Sequence, residues 1–354
     1  MIHPNVHREW SEWSEEQTLY VAVAYSNPFR WSTRRQLMNN IRLKLASQPN
    51  VVLYVGELAY GDRPFEVTDS EEPRHIQLRT RHELFHKENI LNRVIQAFPP
   101  DWKYGAWIDA DLEITRYDWA LEAIHQLQHY DFVQLFSSYT DLSGPLYGMA
   151  NLPTRVNTSF IFNYVQRGFQ IPDGYRDGGW KKGSQGVYYE GVVPERRWVG
   201  VGATGGAWAF RRSAFETVGG LLDQCILGHA DWFMTFGLVC KEAPDMHVPS
   251  YHPDYRSAIF QWQKSAVKLK ANVGYVDAYA IHHWHGSKVH RAYVQRDLIL
   301  VKHQFCPVSD LRRDWQGIYQ LTDDKPGLRD DIRAYFISRQ EDDPNLYPPE
   351  KLMV

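Results

Sequence analysis

Two aspartates one residue apart, Asp109 and Asp111, follow the apolar Trp107-Ile108 and lead into Leu112-Glu113-Ile114. An apolar run ending in acid is the pattern of a buried strand whose carboxyl end opens into a site. Two carboxylates so close repel each other unless something positive lies between them. A hard divalent cation carrying a diphosphate would meet that need, because Mg²⁺ and Mn²⁺ take carboxylate, phosphate and water oxygens. The plainer alternative is that the pair opens a turn or caps the next helix.

Other stretches carry similar chemistry. In Asn27-Pro28-Phe29-Arg30 the proline fixes a turn, the phenyl ring offers a face to a base, and the guanidinium offers a planar fork to phosphate. His282-His283-Trp284-His285 precedes Gly286-Ser287-Lys288. Alternation along an extended chain puts His283 and His285 on one face and His282 on the other. Neutral imidazole suits Mn²⁺ better than Mg²⁺. Lys288 and Arg291 could reach a diphosphate and neutralise it as it leaves. Thr204-Gly205-Gly206 precedes Gly228-His229-Ala230-Asp231. Glycines permit close backbone approach to a ligand, and Asp231 starts a helix, where a carboxylate caps free N–H groups. The same carboxylate could also take a proton from an attacking hydroxyl.

These residues need a scaffold that gathers them. Short β-branched runs at 19–25, 51–55 and 75–78 alternate with helical stripes at 34–45 and 88–98. The Asp-x-Asp strand, a helix near 119–129 and a strand at 132–136 follow. This alternation predicts an α/β fold with a mainly parallel sheet flanked by helices. Ligands then bind beyond the carboxyl ends of the strands, where Asn27, Glu57 and Asp109 fall. Periodicity fades from Ser137 to Gly200, and Gly, Pro, Tyr, Arg and Trp crowd Asp173–Gly186. That stretch reads as an irregular acceptor wall or lid. Later elements are a strand at 207–210, helices at 213–218 and 231–241, a basic amphipathic piece with Lys264, Lys268 and Lys270, a strand at 275–281 and a helix at 290–303.

The chain has 354 residues, 44% of them hydrophobic, enough to bury a large core. Its 39 basic and 42 acidic residues nearly balance, so no global charge points to nucleic acid or an acidic membrane. Cys225, Cys240 and Cys306 are too few and scattered for a disulfide framework or thiolate zinc site. No apolar stretch reaches transmembrane length and no signal peptide is read, so a soluble, cytoplasmic protein is expected. Thirteen Trp and 21 Tyr suit a carbohydrate or nucleobase surface as well as a core. No Walker A, Gly-x-Ser-x-Gly, Cys-x-x-Cys or His-Glu-x-x-His sequence is present.

The order of these parts resembles the nucleotide-sugar glycosyltransferases of GT-A fold. Within them it is similar to the β-1,4-galactosyltransferase type and family-2-like bacterial and phage relatives. The resemblance spans roughly residues 18–300 and rests on four pieces: Pro28-Phe29-Arg30, Lys87 through Asn92, Asp109-x-Asp111, and Gly205-Gly206 followed by Asp231. It implies a UDP-sugar donor, with Pro28, Phe29 and Arg30 against uridine and diphosphate and Lys87 and Asn92 beneath the nucleotide. It implies that Asp111 holds Mn²⁺ or Mg²⁺ while Asp109 reaches the ribose or a metal-bound water. It further implies that a late histidine, at least one of His282, His283 and His285, completes the metal site, with His283 and His285 the first choice, and that Asp231 is the base of an inverting transfer. Ala230 departs from the pattern, standing where an acidic residue is common. If Asp231 is not the base, Glu190, Asp223 and His229 are next.

The expectation is thus a metal-dependent hexosyltransferase of mixed, mainly parallel GT-A architecture. Residues 1–17 form an N-terminal extension, 18–136 the nucleotide-sugar half, 137–300 the acceptor half and 301–354 a small helical extension. The metal ligands are Asp109, Asp111, His283 and His285. The donor contacts are Pro28, Phe29, Arg30, Glu57, Lys87, Asn92, Asp109, Gly205, Gly206 and Lys288. The acceptor is a saccharide or glycan, with no obligate protein partner, in a bacterial or phage-infected host cytosol. One alternative is a phage enzyme acting on a hydroxymethylated DNA base, for which Arg176–Lys182, Arg196-Arg197 and Lys264–Lys270 supply local basic charge. Another is a non-catalytic sugar- or nucleotide-binding protein on a degenerate scaffold.

Overall fold

The computed structural model describes residues 17–144, 153–170, 180–182, 188–190, 202–240, 250–293 and 295–342, with backbone alone at 180–182 and 188–190. Residues 1–16, most of Asp173–Gly186, the side chains of Arg176–Lys182, Arg196-Arg197 and the side chain of Glu190 lie outside the described residues.

The elements run β1 (Leu19–Ser26), α1 (Ser32–Ala46), β2 (Val51–Tyr60), β3 (His75–Thr80), α2 (Lys87–Ile95), β4 (Tyr104–Ile108), β5 (Leu112–Ile114), α3 (Trp119–Gln126) and β6 (Phe132–Gln134). Then come β7 (Ser138–Leu142), β8 (Pro153–Thr158), α4 (Phe160–Gln166), β9 (Trp180–Lys182), β10 (Tyr188–Glu190), β11 (Ala207–Arg211), α5 (Arg212–Val218), α6 (Ala230–Val239) and α7 (Pro253–Ala266). The chain closes with β12 (Val273–Tyr275), β13 (Tyr279–His282), α8 (Gln295–Lys302), α9 (Pro307–Asp310), β14 (Leu311–Arg313), β15 (Tyr319–Leu321) and α10 (Pro326–Ser338).

A seven-stranded sheet has the order β12-β6-β11-β4-β1-β2-β3. All its pairings are parallel except those of β11, which runs antiparallel to β4 and β6. The expected mixed, mainly parallel sheet is therefore present. Both faces of its central strands are apolar, as a doubly covered sheet requires. On one face α1 and α3 bury Met38, Ile41, Leu45, Trp119 and Ile124. On the other, α2, α5, α6, α7 and α10 close over Ile90, Val94, Phe215, Phe236, Trp262 and Phe336.

A second sheet, β5-β13-β7-β8, stands at the carboxyl end of β4. This corrects the expectation that order ends at Ser137: β7, β8 and α4 occupy much of 138–166. The region mixes polar and apolar residues because β8 is an exposed edge strand, which weakens the alternation that reveals a strand. The expected strand at 275–281 is two short ones, β12 and β13, in different sheets. The C-terminal stretch packs back on the body. Asp342 accepts from the Ser32 and Thr33 amides at 3.0 and 2.8 Å, capping α1, and buried Glu341 pairs with Arg34 and Arg339.

Candidate functional site

Strand register assembles the site. Asp109 leaves β4, and its amide donates to the Gly206 carbonyl at 2.8 Å across the β4–β11 ladder. Asp111 sits one residue before β5. In β13, His282 pairs with Leu112 on one side and Asp141 on the other. Asp111, His282 and Asp141 thus come side by side from three segments distant in sequence. Together with Gly205, Gly206, His229 and Asp231 they line a cavity of about 940 Å³, the size of a small-molecule site.

Asp111 meets two histidines. His285 Nε2 lies 2.8 Å from Asp111 Oδ2, and His282 Nε2 lies 3.8 Å from Oδ1. One ligand atom from each of the three residues falls within 4.8 Å of the others. Burial and the Arg291 guanidinium push His285 down to about 4, so its imidazole is neutral at pH 7. Burial opposes ionisation of Asp111, but the bond to His285 and nearby positive charge hold its carboxyl well below the usual range. Two imidazoles and one carboxylate make a ligand set that Mn²⁺ accepts. Asp141 accepts from His282 Nδ1 at 2.8 Å, fixing that ring so that Nε2 turns to Asp111. Lys288 also donates to Asp141, at 2.6 Å. Arg291 lines the cavity, and its buried Nε has no hydrogen-bond partner among the described residues.

His283, expected beside His285, turns instead to Glu113, 3.0 Å away. Alternation between the two faces holds only while the chain is extended. Strand β13 ends at His282, and beyond it the two-residue period no longer applies.

Lys87 gathers a second group of acids in the same cavity. Its ammonium lies 2.7 Å from Asp109 Oδ1 and 3.9 Å from Glu88. Burial pulls this ammonium down, but Asp109, Glu88 and Asp231 outweigh it and hold the charge firmly. Asp109 is therefore paired to lysine rather than to the histidines. Its pKa is nevertheless raised, first by burial and then by Asp111 and Asp231. Asp231 stands in the first turn of α6 and accepts from Thr204 Oγ1 at 3.1 Å. A Cβ on Gly205 would lie 2.5 Å from Asp231 Oδ2, so only glycine admits the carboxylate at this point. Gly206, with φ 94°, completes the turn.

Several expected donor contacts are occupied elsewhere. Glu57 is 2% exposed and accepts from the amides of Glu66, Val67 and Thr68 and the Thr68 hydroxyl, anchoring a loop. Asn92 clamps Leu221 through both its amide and carbonyl, and bonds to Asp223. Pro28 lines the cavity. Phe29, however, is covered by the Arg333 guanidinium at 5.3 Å, and Arg30 is exposed with φ 56°. Asp223 is held by Arg313, Asn89 and Asn92. Sequence reading missed Asp141, Glu88 and Asp297. Only Asp141 had a local signal, the Tyr-Thr β-forming pair of Ser138-Tyr139-Thr140-Asp141.

No protein-family model matches the chain, and no curated protein matches it. Among solved structures, a presumed nucleotide-diphospho-sugar transferase from Desulfovibrio desulfuricans G20 is similar at 12% identity and a TM-score of 0.32, over 92% of this chain and 99% of that one. No helix among the described residues is long and apolar enough to cross a membrane.

Glu88 gives the site a measurable pH signature. Burial, beyond what Lys87 offsets, pushes its carboxyl from 4.5 up to about 7. The unfolded chain releases this proton near 4.5 and the folded chain keeps it to about 7, so raising pH across that window favours unfolding. Glu88→Gln is expected to remove this loss, gaining up to about 3 kcal/mol at pH 8 and little at pH 4. Urea unfolding of both proteins at the two pH values measures it; an equal effect at both would contradict the assignment.

Proposed function

We propose that the protein is a metal-dependent glycosyltransferase moving a hexose from a UDP-sugar to an acceptor hydroxyl, a saccharide or glycan being the acceptor. The observation that carries this reading is one cavity lined both by an Asp111–His282–His285 cluster with Arg291 and by Asp231. Those three residues would hold Mn²⁺, which supplies positive charge to a diphosphate as it departs. Lys288 and Arg291 add cationic groups, preorganised where negative charge grows. Lys87 keeps Asp109 in place and the mouth of β4 near neutral. Asp231 accepts the acceptor's proton, the freed oxygen bonds to the anomeric carbon, and the bond from that carbon to the diphosphate oxygen breaks with its electron pair. Opposite-side attack would invert the anomeric centre.

The test is UDP release across UDP-sugars, with Mn²⁺ and with chelator. The expected result is release with at least one UDP-hexose, lost on chelation. Calorimetric titration showing no Mn²⁺-dependent binding of any UDP-sugar would remove the reading.

A further inference from the structure

We propose that His229, held by Asp297, is the group that grips the acceptor alcohol beside Asp231; this rests on the transferase reading above. His229 Nδ1 lies 3.0 Å from Asp297 Oδ1 and 2.8 Å from Oδ2. Asp297 is 4% exposed and comes from the start of α8, far from His229 in sequence. A buried carboxylate on one ring nitrogen fixes the tautomer and the ring plane, leaving Nε2 to meet a ligand. The ring is 23% exposed and lines the same cavity as Asp231, two residues further along the chain.

The backbone supports a purpose beyond packing. His229 has φ 69° and ψ 1°, left-handed values that strain a non-glycine residue. It precedes α6 where a side-chain cap is common, yet its side chain makes no cap bond. Beneath it, a Cβ on Gly228 would lie 3.0–3.1 Å from the Arg296 guanidinium nitrogens and carbon, so α8 braces the turn as well as the ring. The strained turn aims an imidazole into the cavity beside the proposed base. With Nδ1 tied to Asp297, Nε2 is the ring atom left to bond one hydroxyl, which suits a polyol or sugar offering a second hydroxyl next to the one that reacts.

Asparagine tolerates left-handed φ better than histidine, so His229→Asn relieves strain while removing the imidazole. Transfer is measured from the preferred UDP-sugar to N-acetylglucosamine, methyl glucoside and glycerol, with donor Kd and Tm read alongside. The expected result is a KM for the acceptor raised about tenfold or more, with donor Kd unchanged and Tm equal or higher. Asp297→Asn should raise the same KM, giving a second measurement should the first variant fold poorly. A lowered Tm with acceptor KM within twofold of wild type would make the pair a structural tie and overturn the proposal. So would a wild-type protein that releases UDP but glycosylates none of these alcohols. A wild-type protein that binds no UDP-sugar brings down the parent reading, and this one with it.

Discussion

Asp111→Asn is expected to lower Mn²⁺-dependent UDP release by about 10²–10³-fold, in the range for losing one preorganised electrostatic partner, and to weaken donor binding in parallel. The substitution keeps the shape of the side chain and removes its charge. His282 and His285 remain, but two imidazoles lack the anionic oxygen that a hard cation requires. Donor binding falls too, because the cation is proposed to link protein to diphosphate. The fold should tolerate the change. Asp111 faces a neutral His285 at 2.8 Å, and an asparagine oxygen can still accept that hydrogen bond. A folded variant with a modestly lowered Tm, metal-dependent turnover down by about 10²–10³-fold and weak donor binding is the expected pattern, the Tm falling because the depressed Asp111 carboxyl contributes stability as an anion. Full activity in the variant, with unchanged response to chelator, would place the metal elsewhere or remove it from the reaction.

The architecture was legible because its signals are local. Branched apolar runs alternating with i, i+4 stripes mark β1 to β6 and the helices between them, and Asp109-x-Asp111 follows directly from the end of β4. The partners of those aspartates were less legible, because they are set by register between strands over a hundred residues apart. The pairing of His282 with Leu112 and Asp141 cannot be read from the histidine run itself, and the end of β13 decides which rings reach Asp111. Glu57 and Asn92 show the converse. Each lies where a ligand contact is expected, yet neighbouring backbone amides and carbonyls consume both side chains. Lys87 illustrates a third case: its residue type was noticed, but its role as shared counter-ion to Asp109, Glu88 and Asp231 depends on three chain segments meeting.

Asp231→Asn separates binding from chemistry. The variant is expected to bind UDP-sugar and Mn²⁺ as tightly as the wild type and to lose sugar transfer by about 10²–10⁴-fold, the usual contribution of a positioned general base. Binding should survive because Asp231 is not one of the three clustered ligand residues and is tied instead to Thr204 at 3.1 Å, against Gly205. An asparagine oxygen can still accept from Thr204, so local geometry should persist. The charge change has a sign of its own. Asp231 helps raise the pKa values of Asp109 and Glu88, so neutralising it should lower both. Less repulsion around Lys87 should leave the fold no weaker near pH 7. Lost turnover with intact donor Kd and undiminished stability would then isolate proton acceptance as the missing step. The opposite result, weakened donor binding with residual turnover per bound donor unchanged, would make Asp231 a donor-sugar ligand and pass the base role to another residue lining the cavity.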